Sequence, residues 1–237
     1  MNKKTIPILM YHNIAPVPIG TKTRGLNVRP RLFRSQMWLL KILGYKGLNM
    51  SELQPYLTGE KQGKVIGITF DDGYQDNLIY ALPILKKFGH SATCYLISQK
   101  IGATNEWDAN RNTPKHPLMN VGEVRQWIDA GMEIGAHTQN HIHLAECDIK
   151  TAKKEIQQSR VDLETLFNCP INHFCYPYGN YNNEIVDIVR KAGYKTATTV
   201  HKGYVSNENL LELPRVAIRG RAFLPMFFIK LRPLHNN

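Results

Sequence analysis

Three short segments of the chain carry residue types from which hydrolytic chemistry is built. The first is Thr69-Phe70-Asp71-Asp72-Gly73-Tyr74. Adjacent carboxylates at a strand end point in different directions, so one can bind a cation while the other faces a substrate or a water. Asp and Gly also form turns readily, and a plain turn is the competing reading. The second segment is His137-Thr138-Gln139-Asn140-His141. If it makes one helical turn, its two histidines share a face and can chelate one metal. With His143 following, a histidine-rich surface loop is the alternative. Asp72, His137 and His141 together make an Asp-His-His set. Three protein ligands with an open position describe a catalytic metal site rather than a structural one. Asp71 beside them is placed to act as a base. The third segment is Phe174-Cys175-Tyr176-Pro177-Tyr178-Gly179. Its Pro and Gly force a defined turn. Such a turn can aim backbone N–H groups at one point, as an oxyanion hole requires, or can be a turn and nothing more.

Groups this far apart in sequence need a scaffold that gathers them. Ile6 to Tyr11 reads as a buried strand, followed by a polar loop to about Pro30. Phe33, Met37, Leu40 and Leu43 recur at helical spacing, with Gly44 as a stop. Val65 to Phe70 is β-rich and ends at the paired aspartates. Leu78, Leu82 and Leu85 mark a helix ending near Gly89, and Ala92 to Ile97 is the next strand. A long polar loop spans Ser98 to Asn120. A helix from about Gly122 to Ala130 leads into the strand Glu133 to Ala136, which stops at His137. Asp148 is the candidate N-cap of a long helix to Phe167, with apolar positions at Ile149, Ala152, Ile156, Val161, Leu163 and Leu166. Strands at Ile171 to Tyr176, Lys195 to Val200 and Leu213 to Ile218 follow, with a helix at Asn183 to Lys191. Strands alternating with helices imply a parallel sheet or barrel, in which sites gather at the C-terminal strand ends. No linker and no internal repeat breaks the pattern, so one domain over residues 1–237 is expected.

The motifs Thr-Phe-Asp-Asp-Gly-Tyr, His-Thr-x-x-His and Tyr-Pro-Tyr-Gly, in this order, resemble those of the polysaccharide deacetylases with a NodB-homology domain (carbohydrate esterase family 4). The resemblance is strong over about residues 64 to 200. The opening Tyr11-His12-Asn13-Ile14 is similar to the Tyr-His-x-Ile start of one branch, which includes deacetylases of extracellular N-acetylglucosamine polymers. The resemblance implies an α/β fold, a distorted (β/α) barrel with about seven strands. It implies metal-dependent removal of an acetyl group, N-acetyl more often than O-acetyl, from a sugar. Carried over, Asp71 is the catalytic base, and Asp72, His137 and His141 hold one divalent metal. That metal is usually Zn2+, with Co2+ or Ni2+ as alternatives. Tyr178 lends its backbone N–H to the oxyanion.

Two departures from the family pattern stand out. The arginine expected two positions before Pro177 is replaced by Cys175; Arg215 could supply its guanidinium from a neighbouring strand, or be a surface residue. The family's late Leu-x-His has no clear match, since Leu234-His235 lies at the very end of the chain. His12, at the end of the first strand, is the replacement candidate for general acid, against the alternative of a structural histidine.

Composition narrows the partners. The chain has 237 residues, with 30 Lys+Arg against 19 Asp+Glu and a net charge of +11. That balance favours anionic partners. The basic residues match no nucleic-acid-binding motif, so no nucleic acid is expected. Four cysteines without C-x-x-C spacing suggest reduced thiols. The apolar run Ile6 to Met10 is too short for a signal peptide, which points to a cytoplasmic protein. The expected substrate is then an N-acetylated saccharide, an amino sugar of a cell-envelope glycan or its lipid- or nucleotide-linked precursor. The segment Arg219 to Arg232 pairs an apolar run with basic flanks. It reads as a closing segment over the barrel or as an interfacial anchor giving peripheral contact with the inner face of an anionic membrane. A glycan-binding pseudoenzyme without turnover is the alternative function.

Overall fold

A computed structural model describes residues 5–16, 26–107, 115–206 and 209–231. The chain opens with strands β1 (Ile8–Tyr11), β2 (Asn13–Ile14) and β3 (Asn27–Val28), then helix α1 (Pro30–Ile42). Strand β4 (Lys46–Leu48), helix α2 (Met50–Leu57) and strand β5 (Val65–Phe70) follow. A wide π-turn over Asn77–Ala81 runs into α3 (Leu82–Phe88), and then come β6 (Thr93–Leu96), α4 (Val121–Asp129) and β7 (Glu133–Ala136). The last third holds α5 (Ile149–Phe167), β8 (His173–Cys175), α6 (Asn183–Lys191), β9 (Thr196–Lys202), β10 (Leu213–Ala217) and α7 (Leu224–Leu231).

Local chemistry sets these boundaries. Pro30 opens α1, where its missing N–H costs nothing. Asn49, Asp148 and Asn182 cap α2, α5 and α6 with their side chains, and Asn120 with Glu123 forms a reciprocal capping box on α4. Gly89 ends α3 with φ 73°, a left-handed conformation that only glycine adopts cheaply.

All strand pairings in the main sheet are parallel, in the order β1-β10-β9-β8-β7-β6-β5-β4. β1 also pairs with β5, which closes seven strands into a barrel and leaves β4 beside the first half of β5. Alternate strand residues face two apolar clusters. Ile8, Tyr95, Cys175 and Leu213 form an inner one, floored by Met50 and Leu53 of α2. Leu9, Tyr11, Phe70 and Phe174 pack outward against Phe33, Trp127 and Leu163 of the surrounding helices. Gly135 makes the interior possible, because a Cβ there would lie 2.6 Å from the Tyr95 ring.

The architecture is the barrel expected from the sequence, with local differences. Ile6 is not part of β1; it makes an isolated antiparallel bridge to Val205. β4 and α2 are additions that short, weakly periodic segments conceal. On α5 the buried stripe is Ala152, Glu155, Ile156, Ser159 and Leu163, whereas Ile149, Val161 and Leu166 are exposed. The helical period holds, but Glu155 and Ser159 occupy the inner face, where the Ser159 hydroxyl donates to the Ile156 carbonyl at 3.0 Å. The four cysteines are free. Leu234 and His235 lie outside the described residues.

Candidate active site

Register delivers the sequence-selected residues to one rim. Tyr11 lies opposite Phe70, so His12 and Asp71, the next residues, leave adjacent strands side by side. Ala136 pairs with Phe174, which brings His137 level with the Cys175-Tyr176-Pro177 turn. The β10 strand carries Arg215 across the interior below them.

Asp71 is buried and gripped by Arg215. Nη1 donates to Oδ1 at 2.7 Å and Nη2 to Oδ2 at 2.8 Å, a bidentate fork. The guanidinium is itself fixed. Its Nε donates to the Thr199 carbonyl at 2.8 Å and its Nη1 also to Thr69 Oγ1 at 3.1 Å. Nη2 lies 3.2 Å from Cys175 Sγ. The cysteine at the family's arginine position thus sits against an arginine supplied by another strand. Burial alone would raise the Asp71 pKa, but the Arg215 charge outweighs it and holds the carboxyl below its ordinary range. Asp71 is therefore an anion with a fixed orientation at neutral pH. His12 Nε2 stands 3.9 Å from Asp71 Oδ2 and retains partial exposure.

Beside Asp71, Asp72 Oδ1 lies 3.4 Å from His137 Nε2 and 3.3 Å from His141 Nε2. All three side chains are buried. His137 Nδ1 is 2.7 Å from the Cys175 carbonyl and donates to it, which leaves Nε2 facing Asp72. Asp72 Oδ1 has no hydrogen-bond partner although it is buried. A buried carboxylate oxygen left without a donor, facing two imidazole nitrogens, matches the donor set of a divalent metal. The two histidines also hold the Asp72 pKa well below its ordinary range against the opposing effect of burial.

The helical turn considered for residues 137–141 does not form. Thr138 has φ 64° and His141 φ 60°, so a left-handed loop brings the imidazoles together. Among the described residues, five non-glycine residues have positive φ, and four of them are Asp72, Thr138, His141 and Tyr178. Strained backbone concentrated in three loops of one rim marks a site whose geometry outweighs local preference. The loop is held from behind by α5. Glu155 Oε2 accepts from the Gln139 and Asn140 N–H groups at 2.9 Å each, and Asp162 accepts from Gln139 Nε2 at 2.9 Å. This is why a carboxylate occupies the buried stripe of α5.

Aromatic rings surround the opening. Tyr178 packs on His141, centroids 4.5 Å apart, and stacks on His143 at 4.0 Å. Trp107 also lies 4.7 Å from His141. Sequence reasoning missed Trp107, Glu155 and Asp76. Asp76 accepts from Ile14 N–H at 2.9 Å and from Asn13 Nδ2 at 3.1 Å, anchoring the segment just after His12. A charged residue inside an apolar stripe was a signal for Glu155; nothing in the sequence pairs Asp76 with Asn13.

Comparison with known proteins gives the chain a family. Residues 58–197 match the family model for polysaccharide deacetylases. The chain is 31% identical over 216 residues to YxkH of Bacillus subtilis (strain 168), named for the same family, covering 90% of this chain and 71% of that one. It is 28% identical to a poly-beta-1,6-N-acetyl-D-glucosamine N-deacetylase of Staphylococcus aureus, covering 84% of this chain and 70% of that one. Among solved structures, the deacetylase PplD of Streptococcus pyogenes, in complex with acetate, superposes with a TM-score of 0.85 at 27% identity, covering 98% of this chain and 100% of that one. BC0361, a polysaccharide deacetylase of Bacillus cereus, gives 0.81 at 26% identity over 97% of this chain and 69% of that one.

Proposed function

Because the chain belongs to the polysaccharide deacetylase family, we propose that it hydrolyses the N-acetyl group of an amino sugar, leaving acetate and a free amine. The observation that carries this reading is the pairing of an Arg215-clamped Asp71 with the partnerless Asp72 Oδ1 between two histidines. Asp72, His137 and His141 would hold one divalent metal, for which Zn2+ suits the donor set. When bound, such an ion supplies Lewis-acid polarisation of the acetyl carbonyl.

The chain's own groups account for the rest. Asp71 accepts a proton from the attacking water, and its fixed orientation removes the cost of aligning it. Arg215 is a positioning residue: it keeps Asp71 ionised and presents one face of the carboxylate upward. Tyr178 offers its backbone N–H to the developing oxyanion from the strained turn after β8. His12 delivers a proton to the leaving nitrogen, without which an amine is a poor leaving group. Trp107 and Tyr178 give apolar ring faces for a pyranose at the mouth.

The substrate we favour is a lipid- or nucleotide-linked amino sugar of envelope-glycan synthesis in the cytoplasm, a reading supported by the +11 net charge. The test is mass spectrometry of N-acetylated candidate sugars incubated with the protein, with and without chelator. Loss of one acetyl group that stops with chelator supports the reading. Binding without acetate release would instead establish a glycan-binding pseudoenzyme.

A further inference from the structure

The flank of the barrel formed by α1 and α7 differs from the rest of the surface in both apolarity and charge. Gln36 Nε2 of α1 donates to the carbonyl of Ala222, just before α7, at 2.8 Å, which fixes the two helices side by side at that level. α7 follows β10, α1 follows the short β2–β3 excursion after β1, the sheet neighbour of β10, and the two helices pack on each other. Ile42 lies six residues along α1 from Gln36 and Ile229 five along α7 from Leu224, so at 1.5 Å rise per residue both helices carry their exposed isoleucines a similar distance from that hydrogen bond.

Their buried faces are spoken for. Phe33, Gln36, Met37 and Leu40 of α1, with Phe227 and Leu231 of α7, join the core. The outward faces keep large apolar side chains all the same. Trp38 is 46% exposed, Ile42 63%, Phe223 64%, Met226 49% and Ile229 60%. These five make up half of the ten large exposed hydrophobic residues among the described ones, and they include the three most exposed. Scattered single apolar residues are ordinary on a surface, but this clustering is not.

Charge is equally uneven. Residues 29–43 and 218–231 contain Arg29, Arg31, Arg34, Lys41, Arg219, Arg221 and Lys230 and no carboxylate. Seven of the eleven excess positive charges thus fall in 29 residues. All seven except the partly buried Lys230 are exposed. On α1 the exposed positions Arg31, Arg34, Trp38, Lys41 and Ile42 share one helical face, so cations and apolar groups interleave. α3, packed on α1, adds exposed Lys86 and Lys87 and again no acid.

We propose that the α1–α7 flank docks this protein on an anionic lipid bilayer. Interleaved cations and apolar side chains on paired helices fit an interface whose headgroups are negative and whose depth is hydrocarbon. No described helix is long and apolar enough to cross a membrane, so the contact is peripheral. Docking by the flank leaves the rim carrying Asp71 open alongside the bilayer. Trp38 supplies an interfacial aromatic, and Arg31 and Arg34 reach the headgroup layer above it. The proposal stands apart from the sugar chemistry: vesicle binding can succeed or fail whether or not the protein is a deacetylase.

The test is co-sedimentation of the full chain with vesicles of phosphatidylcholine alone and of an equal mixture with phosphatidylglycerol. The protein should pellet with the mixed vesicles only, and less at high salt. In Arg31→Gln/Arg34→Gln, partitioning should fall by about fivefold for each lost cation. Ile42→Asn/Ile229→Asn should also lose binding while keeping its circular dichroism and its activity on a soluble substrate. Three results would overturn the proposal. They are no binding to mixed vesicles, undiminished binding of both double variants, or a dimer in sedimentation velocity that Ile42→Asn/Ile229→Asn dissociates. The last would make the flank a contact between two copies.

Discussion

The same strands carry a buried histidine–carboxylate cluster at each end, and the two ends are finished differently. At the N-terminal end, Thr93, Glu133, His173 and Thr196 are the first residues of β6, β7, β8 and β9. Glu133 Oε2 accepts from Thr93 Oγ1 and from the Met50 N–H at 2.9 Å, at the start of α2. His173 has both ring nitrogens engaged, Nδ1 with Thr196 Oγ1 at 2.8 Å and Nε2 with Ser51 Oγ at 2.9 Å. Every member has a partner within the chain, and the backbone there is unstrained. At the C-terminal end, Asp72 Oδ1 has none, and the loops that present it hold left-handed non-glycine residues. A closed polar network locks α2 onto the barrel floor. An open one, held rigid against its own preferences, is what a ligand completes.

That contrast predicts which end controls which property. The largest effect is expected at the rim: Asp71→Asn should lower turnover by about a thousandfold per folded molecule. Near-normal turnover would remove Asp71 as the base. At the floor, Glu133→Ala should leave turnover unchanged and cost about 2 kcal/mol in chemical denaturation, because the buried Thr93 and His173 lose a partly buried partner. Its pH dependence has a definite sign. Burial alone would raise the Glu133 pKa, but His173 and the hydroxyl donors outweigh it and the carboxyl sits below its ordinary range. Its stabilisation is therefore complete above the unfolded pKa of about 4.3 and is lost as pH falls through the folded value. The variant should show a flatter stability profile in that acid window; an identical profile would mean the floor network is not ionic. The smallest effect is expected at the edge of the rim, where Asp76→Ala should lower kcat about tenfold through a displaced His12 segment, with KM nearly constant. Recovery in Asp76→Asn, which keeps an acceptor for the Ile14 N–H, would separate this from general destabilisation.

The contrast also explains what could be read without coordinates. Strand–helix alternation exposed the barrel because each β-rich run ends abruptly at a polar residue, as at Phe70-Asp71 and Ala136-His137. Those same junctions single out Asp71, Asp72, His137 and His141 as candidates, and the fold brings the four to one rim. Arg215 was identifiable only as a compensating candidate; its fork to Asp71 spans the barrel interior, and no local pattern encodes that crossing. The left-handed loop at 138–141 was hidden for a different reason. Its conformation is held by Glu155 and Asp162 of α5 together with the Thr138 hydroxyl, which accepts from the His141 N–H at 3.0 Å, and the α5 contacts leave no local sequence signal. The floor cluster left no trace at all, because Ser51, Glu133 and His173 meet only through strand register.

The rim is open toward a cation and the floor is closed. Metal analysis of the protein after equilibration with Zn2+ and desalting tests it most directly. One ion per chain is expected, falling to none in His137→Ala and staying at one in His173→Ala. No bound ion in the unaltered protein, or an ion retained by His137→Ala, would contradict it.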